Sequence, residues 1–248
     1  MPAFDLSIAT PDGTAAARAF RPEGPGPFPA ALFLIDAFGL RTAIFEMAER
    51  LSRLGYFVLV PNLLYRAGDF APFDPKSAFG DEAERARLMG IMKQLDPAGA
   101  MRDMAAYFDA LAAQPGVLAS KVGCVGYCMG GRLAFTAAAA MPDRVGAVCS
   151  IHGGGLVTDQ ESSPHLGASR IHAPLYFGVA DDDQGCTPQH QATLVSTLAA
   201  AKVHYQVELN PGAHHGYAVL DVPAYHPEAA ERHWARVASL FGEALPRG

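Results

Sequence analysis

Three groups of residues in this chain are spaced for nucleophilic chemistry: a cysteine in a glycine-rich turn, a run of three aspartates and a pair of adjacent histidines. Cys128 sits within Gly126-Tyr127-Cys128-Met129-Gly130-Gly131, after the apolar run Val122 to Val125 and before the alanine-rich stretch Leu133 to Ala140. Strand, tight turn and helix together lift the central side chain above a sheet. Glycines on either side remove Cβ atoms that would collide with neighbouring backbone. The helix N-terminus brings partial positive charge to the sulfur, which favours thiolate. The competing reading is a Gly-rich turn around a buried structural cysteine.

A thiolate nucleophile needs a base that takes and returns a proton, and a third group that orients the base. Ala180-Asp181-Asp182-Asp183-Gln184 follows the apolar run 174–180, and Pro211-Gly212-Ala213-His214-His215-Gly216 follows the alternating run 203–209. Cys, Asp and His at three strand ends, in that chain order, is the arrangement of an α/β-hydrolase with cysteine in the serine position of the nucleophile elbow. At least two of the aspartates read equally well as a solvated turn with a helix cap, and the histidines as a surface loop. A metal pair at His214 and His215 is disfavoured, because adjacent residues rarely point at one ion. There is no helical H-x-x-x-H and no C-x-x-C pair.

The elements that must carry these residues alternate. Strands are expected at 30–35, 56–60, 122–125, 145–151, 174–180 and 203–209, and helices at 43–54, 133–140, 189–201 and 227–244. A helical region from 81 to 113 breaks near Asp96-Pro97, and Met101, Met104, Tyr107, Phe108 and Leu111 form a core-facing stripe on its second half. Strands that are apolar throughout and separated by helices predict a mostly parallel central sheet with helices on both faces. Phe4 to Phe20, turning at Pro11-Asp12-Gly13, predicts an N-terminal antiparallel hairpin. The expected fold is one α/β-hydrolase domain over 1–248.

Composition narrows the function. Half of the 248 residues are hydrophobic and 18% are charged, enough for a substantial core. A net charge of −6 without a Lys/Arg cluster argues against nucleic acid as a partner. No apolar run approaches the ~20 residues of a spanning helix, and the opening residues lack the pattern of a secretory signal. Cys124 and Cys149 lie in strand-like runs as small hydrophobes, and the cysteine usage points to a reducing cytoplasm.

Over nearly its whole length the chain resembles the dienelactone hydrolase family. The matching pieces are Ile35-Asp36-Ala37-Phe38-Gly39-Leu40-Arg41, the segment around Cys128, Tyr176 to Gln184 with Pro188 downstream, and Pro211 to Gly216. The resemblance implies Cys128 as nucleophile, an aspartate of the triplet as orienter and His215 as base, since the family histidine immediately precedes the glycine. The family aspartate lies three residues after the strand-end Ala and five before the proline. From Ala180 and Pro188 both counts reach Asp183, whereas the commoner G-x-x-D pattern counted from Gly178 reaches Asp181; Asp183 is favoured.

The oxyanion hole is expected from the backbone N–H groups of Met129 and Ala37. Asp36, Tyr127 and Arg85 are the candidates for modulating the thiol or touching substrate. Asp36 stands where dienelactone-cleaving relatives carry a glutamate that helps generate thiolate, and Arg85 or Arg87 matches a substrate-binding arginine. Val219 stands four residues beyond His215, where those relatives hold a substrate carboxylate with arginine. Loops 62–80 and 153–170, with Leu63, Tyr65, Phe70, Phe73 and Leu156, are expected to line an apolar pocket.

The activity these readings imply is hydrolysis of small esters or lactones through an acyl-enzyme, with no metal or organic cofactor and a small-molecule substrate as the partner. Neither nucleic acid nor membrane is expected as a partner, and no feature specifies an oligomeric state. Acyl transfer or thioester cleavage at the same triad is the alternative enzyme, and a non-catalytic binding protein of the same fold the alternative class.

Overall fold

In a computed structural model describing residues 2–246, eight strands form one sheet in the order β1-β2-β4-β3-β5-β6-β7-β8. β1 (Ala3–Thr10) and β2 (Gly13–Phe20) make the N-terminal hairpin, antiparallel from Ala3↔Phe20 to Thr10↔Gly13. Its two-residue turn is Pro11-Asp12, and Gly13 leaves it with φ of +147°. β2 also runs antiparallel to β4 (Phe57–Pro61). Every remaining neighbour pair, among β3 (Phe28–Leu34), β4, β5 (Val117–Tyr127), β6 (Val145–Ile151), β7 (Leu175–Asp182) and β8 (Tyr205–His214), is parallel.

The register explains why the central strands are apolar on both faces. Tyr127, Ile151 and Gly178 are successive partners across β5, β6 and β7, as are Gly126, Ser150 and Phe177 one residue earlier. Because side chains alternate along a strand, the two rows face opposite ways. The second row receives α4 (Met129–Ala140), where Phe135 meets Phe177 edge-on at 5.1 Å. The first receives α6 (Pro227–Ala244), where His233 meets Tyr127 at 5.7 Å. With a helix on each face, β4 and β6 are buried at every position.

α1 (Thr42–Arg53) follows β3 and buries Ile44, Met47, Ala48 and Leu51. The helical region after β4 divides into α2 (Glu82–Met92) and α3 (Pro97–Ala112). Asp96 accepts from Ala98 N and Gly99 N and so caps α3, with Pro97 at its first position, where a missing N–H is harmless. Met104, Tyr107, Phe108 and Leu111 are buried as the stripe predicts, while Met101 is half-buried. α5 (Pro188–Ala200) is capped by Thr187.

One boundary differs in a way that matters. β8 continues through Pro211 to His214, and β7 through Asp182, where the reading placed loops. A register shift between Ala180 and Asp182 pairs Asp182 with His214. The irregularity lets strand pairing run on through a Pro-Gly segment that reads as a turn.

Candidate active site

The carboxyl ends of β3, β5, β6, β7 and β8 deliver Asp36, Cys128, His152, Asp183 and His215 to one edge of the sheet. Cys128 has φ 55° and ψ −117°, a conformation that L side chains rarely adopt. Its surroundings enforce this turn. A Cβ on Gly126 would fall on the Gly130 carbonyl, and one on Gly130 would fall on the Leu34 carbonyl. Cys128 N–H donates to Ile151 O at 3.1 Å, and the Cys128 carbonyl accepts from Gly131 N at 3.1 Å to begin α4. Cys128 is half-buried, whereas Cys124, Cys149 and Cys186 are buried. Cys186, in the loop between β7 and α5, is only 2% exposed.

His215 Nδ1 meets Asp183 Oδ2 at 2.7 Å, and the other oxygen of Asp183 accepts from Gly185 N at 2.7 Å. The Asp183 side chain is 2% exposed, so its position is fixed by these two bonds. Its neighbours do other things. Asp181 accepts from Gly212 N at 2.9 Å, tying β7 to β8, and Asp182 lies 3.6 Å from His214 in an exposed pair. Burial of the His215 ring disfavours its charge, but hydrogen bonds to Asp183 and to the Cys128 side chain outweigh this and raise it to about 10. Sulfur and imidazole thus face one cavity, with the carboxylate bonded behind the imidazole.

Of the backbone donors around the sulfur, Phe38 N–H is held by Asp36 Oδ1 at 3.1 Å and Cys128 N–H by Ile151. Ala37 N–H and Met129 N–H have no acceptor among the described residues. Two backbone donors near the sulfur are therefore free to bind an external acceptor.

Asp36 lines the cavity over the sulfur, but its carboxylate is held away from the thiol. Arg41 Nη1 and Nη2 grip its two oxygens at 2.7 and 2.8 Å, and the same guanidinium holds Asp221 through Nε at 2.7 Å and Nη2 at 2.9 Å. Arg41 thus ties the loop after β3 to the loop after His215. Sequence reading quoted Arg41 within a motif without giving it this role.

A cavity of about 290 Å³ opens over the array. Cys128, His215 and His152 form its floor, and Phe38, Phe79, Pro75, Val222, Pro223 and Ala224 supply most of its walls. The expected linings need correction. Leu63, Phe73 and Leu156 are core residues, and nothing from 153–170 reaches the cavity. The wall opposite 75–79 comes instead from 216–224, the segment that Arg41 secures through Asp221.

Tyr127 does not touch the cavity. Strand alternation turns it under α6, where its hydroxyl meets His233 Nε2 at 3.1 Å and its ring stacks on Phe33. Arg85 is exposed on α2 outside the lining, and Arg87 is paired with Glu84 over the Phe73 ring. Val219 is fully buried and lies outside the wall. The cation that does line the cavity is Lys76.

His152 was not anticipated. It is 1% exposed, has φ 38°, donates its backbone N–H to Gly178 O at 2.8 Å and has both ring nitrogens unpartnered. Its position directly after the β6 run, in Ile151-His152-Gly153, was the available signal.

A sheet of this order with a cysteine elbow, an acid after β7 and a histidine after β8 defines an α/β-hydrolase. Residues 15–245 match the dienelactone hydrolase family, and the chain belongs to it. It is a hydrolase of the dienelactone hydrolase type. A protein of Methylorubrum extorquens with a provisional carboxymethylenebutenolidase assignment is 27% identical over 244 residues, covering 96% of this chain and 80% of its own length. A carboxymethylenebutenolidase of a Pseudomonas species is 25% identical over 223 residues, covering 89% and 87%. Among solved structures, a dienelactone hydrolase-like promiscuous phosphotriesterase from metagenomic libraries superposes with a TM-score of 0.79 at 25% identity, covering 99% of this chain and 100% of its own. No described helix is long and apolar enough to cross a membrane.

Proposed function

We propose that this protein hydrolyses small esters or lactones by acyl transfer through Cys128, with His215 as proton shuttle and Asp183 as its orienter. The observation that carries the reading is the hydrogen bond from His215 to the buried Asp183, with His215 and Cys128 together on the floor of a cavity sized for a small molecule.

The steps follow from the contacts. The Cys128 sulfur attacks the carbonyl carbon, forming a C–S bond and moving charge to the oxygen that faces Ala37 N–H and Met129 N–H. Losing one such donor typically costs ~3 kcal/mol of transition-state stabilisation. The C–O bond then breaks as the His215 imidazolium hands its proton to the departing oxygen. With sulfur acylated, the imidazole no longer has the Cys128 thiolate as a partner. It can then take a proton from water, whose oxygen attacks the thioester. Collapse breaks the C–S bond, releases the acid and restores the pair. Asp183 accepts from Nδ1–H throughout and stabilises the imidazolium without itself taking the proton.

Asp36 has a different role here from a thiol modulator. Its oxygens serve Arg41 and the Phe38 N–H, which shapes the loop that presents Ala37. The largely apolar walls favour neutral acyl groups, with Lys76 the one point at which a carboxylate on the substrate is met. The test is turnover of a p-nitrophenyl ester and a neutral lactone by the wild type and by Cys128→Ala. Equal turnover by the two proteins refutes the reading.

A further inference from the structure

His152 carries two unfavourable features at one residue. It has a left-handed backbone conformation, and it has a buried imidazole whose nitrogens both lack a partner. The groups packed on the ring are themselves rings. His215 lies 5.1 Å away at 66°, Tyr217 5.3 Å away at 75° and Tyr127 5.9 Å away at 53°. A phenylalanine would fill this box equally well and bury no orphaned polar atom. What distinguishes histidine from phenylalanine here is its polar edge. Of the three rings in contact, only His215 changes charge in the reaction proposed above.

We infer that His152 is a positioning residue for the catalytic array: a buried imidazole, packed edge to face on His215, whose polar edge stabilises the positive charge on that ring. The inference rests on the reading of Cys128, His215 and Asp183 as the reacting groups. Neutral imidazole has a sizeable dipole, and its proton can sit on either nitrogen. In either tautomer one ring nitrogen keeps a lone pair, which a neighbouring cation attracts. Asp183 holds His215 from the Nδ1 edge, and His152 supports it across the ring.

The surroundings keep His152 neutral. Burial, then His215, then His233 beneath it on α6 oppose a second positive charge and outweigh a contact with its own main chain that favours it, which leaves its protonation well below the usual histidine range. The other titratable groups facing it are Tyr127 at the end of β5 and Tyr217 after β8, both with hydroxyls that burial keeps protonated. Protonating His152 would set two cations edge to face, so the device works only while one ring is neutral.

The test is His152→Phe, which keeps a ring and removes the nitrogens. Cys128 alkylation by iodoacetamide, followed against pH, should slow about tenfold at roughly pH 6, with its acid limb displaced upward by about one unit. For p-nitrophenyl acetate, kcat should fall about tenfold with KM within about twofold. An alkylation profile superimposable on the wild type overturns the inference, since a ring that only packs would leave it unmoved. The wild type offers a second route that needs no variant. In nitrogen-resolved imidazole spectra, His152 should stay neutral from about pH 5 to about pH 11, and its shifts should follow the titration of His215 near pH 10. Protonation near the ordinary histidine range, or indifference to His215, overturns it equally. If wild-type Cys128 reacts no faster than the buried thiols, it is the underlying triad reading that falls. A fast wild-type reaction left unchanged in His152→Phe removes the role of His152 alone.

Discussion

Arg41 takes both carboxylate oxygens of Asp36, through Nη1 at 2.7 Å and Nη2 at 2.8 Å, while its Nε holds Asp221 from the far side of the cavity. The Arg41 and Asp36 side chains are only 10% and 4% exposed, so this is an interior bridge. Removing one member of such a pair leaves a charge buried without its partner, which typically costs 3–5 kcal/mol. Arg41→Met should accordingly lower stability in urea by about 3 kcal/mol and raise KM several-fold, because the 216–224 wall loses its tether. Asp36→Asn should leave the rate of Cys128 alkylation within about threefold of wild type, since the carboxylate serves Arg41 and the sulfur has His215. A collapse of thiol reactivity in Asp36→Asn would restore Asp36 as a thiol modulator.

Thiol reactivity should be confined to one cysteine. Burial pushes Cys124 up to about 12, Cys186 up to about 11, and Cys149 well above the usual thiol range. These three stay protonated and shielded at neutral pH. Peptide mass spectrometry after brief iodoacetamide exposure should find a single modified site, Cys128. Labelling of Cys186 at a comparable rate would contradict the burial of that loop.

The three aspartates should separate cleanly. Asp183→Asn removes the acceptor at His215 Nδ1 and should lower kcat by on the order of 10²-fold or more. Asp181 bonds the Gly212 backbone and Asp182 faces His214 in solvent. Their asparagine variants should keep kcat within about threefold. The largest loss falling on Asp181 would mean that the orienting acid differs from the one touching His215.

The direction of the His215 shift sets the alkaline behaviour. Its raised value of about 10 means that the ring keeps its proton through neutrality and loses it as pH passes that point. Alkylation needs only sulfur and should persist above pH 10, whereas ester turnover needs a proton for the leaving oxygen and should decline there. Parallel decline of both rates would show that the proton on His215 is not what limits turnover.

Lys76 should divide substrates by charge. It is the cation lining the cavity, on an exposed turn opposite the 216–224 wall. Lys76→Met should reduce kcat/KM for a carboxylate-bearing lactone about tenfold and leave a neutral lactone within about threefold. Neutral esters should remain the better substrates in the wild type. A dienelactone preferred tenfold or more by Lys76→Met would require another anion contact in the wall.

Much of the fold was legible because its signals are local. Uniformly apolar runs such as Val145 to Ile151 announce a strand covered on both faces, and Gly126 and Gly130 mark the elbow because no Cβ fits there. The meeting of Asp183 with His215 agreed with a count along the chain, since Ala180 and Pro188 bracket the turn. What stayed hidden depends on distant partners. The 216–224 wall reads as an ordinary apolar loop until Arg41 reaches Asp221 across 180 residues. His152 looks like the end of a strand before three glycines, and its significance appears only when β6 and β8 set its ring beside His215. The reach of Arg85 and Tyr127 was misjudged for the same reason. Helix packing and strand parity, which decide where a side chain points, are set by neighbours far away in sequence.

The central claim is that Cys128 becomes acylated. Mixing the protein with excess p-nitrophenyl ester, quenching in acid within the first turnovers and mapping the adduct by peptide mass spectrometry tests it most directly. The predicted result is one equivalent of p-nitrophenol released in a burst, with the acyl mass on the peptide containing Cys128 and both signals absent in Cys128→Ala. Steady turnover that survives in Cys128→Ala, or an acyl group carried by another residue, would contradict it.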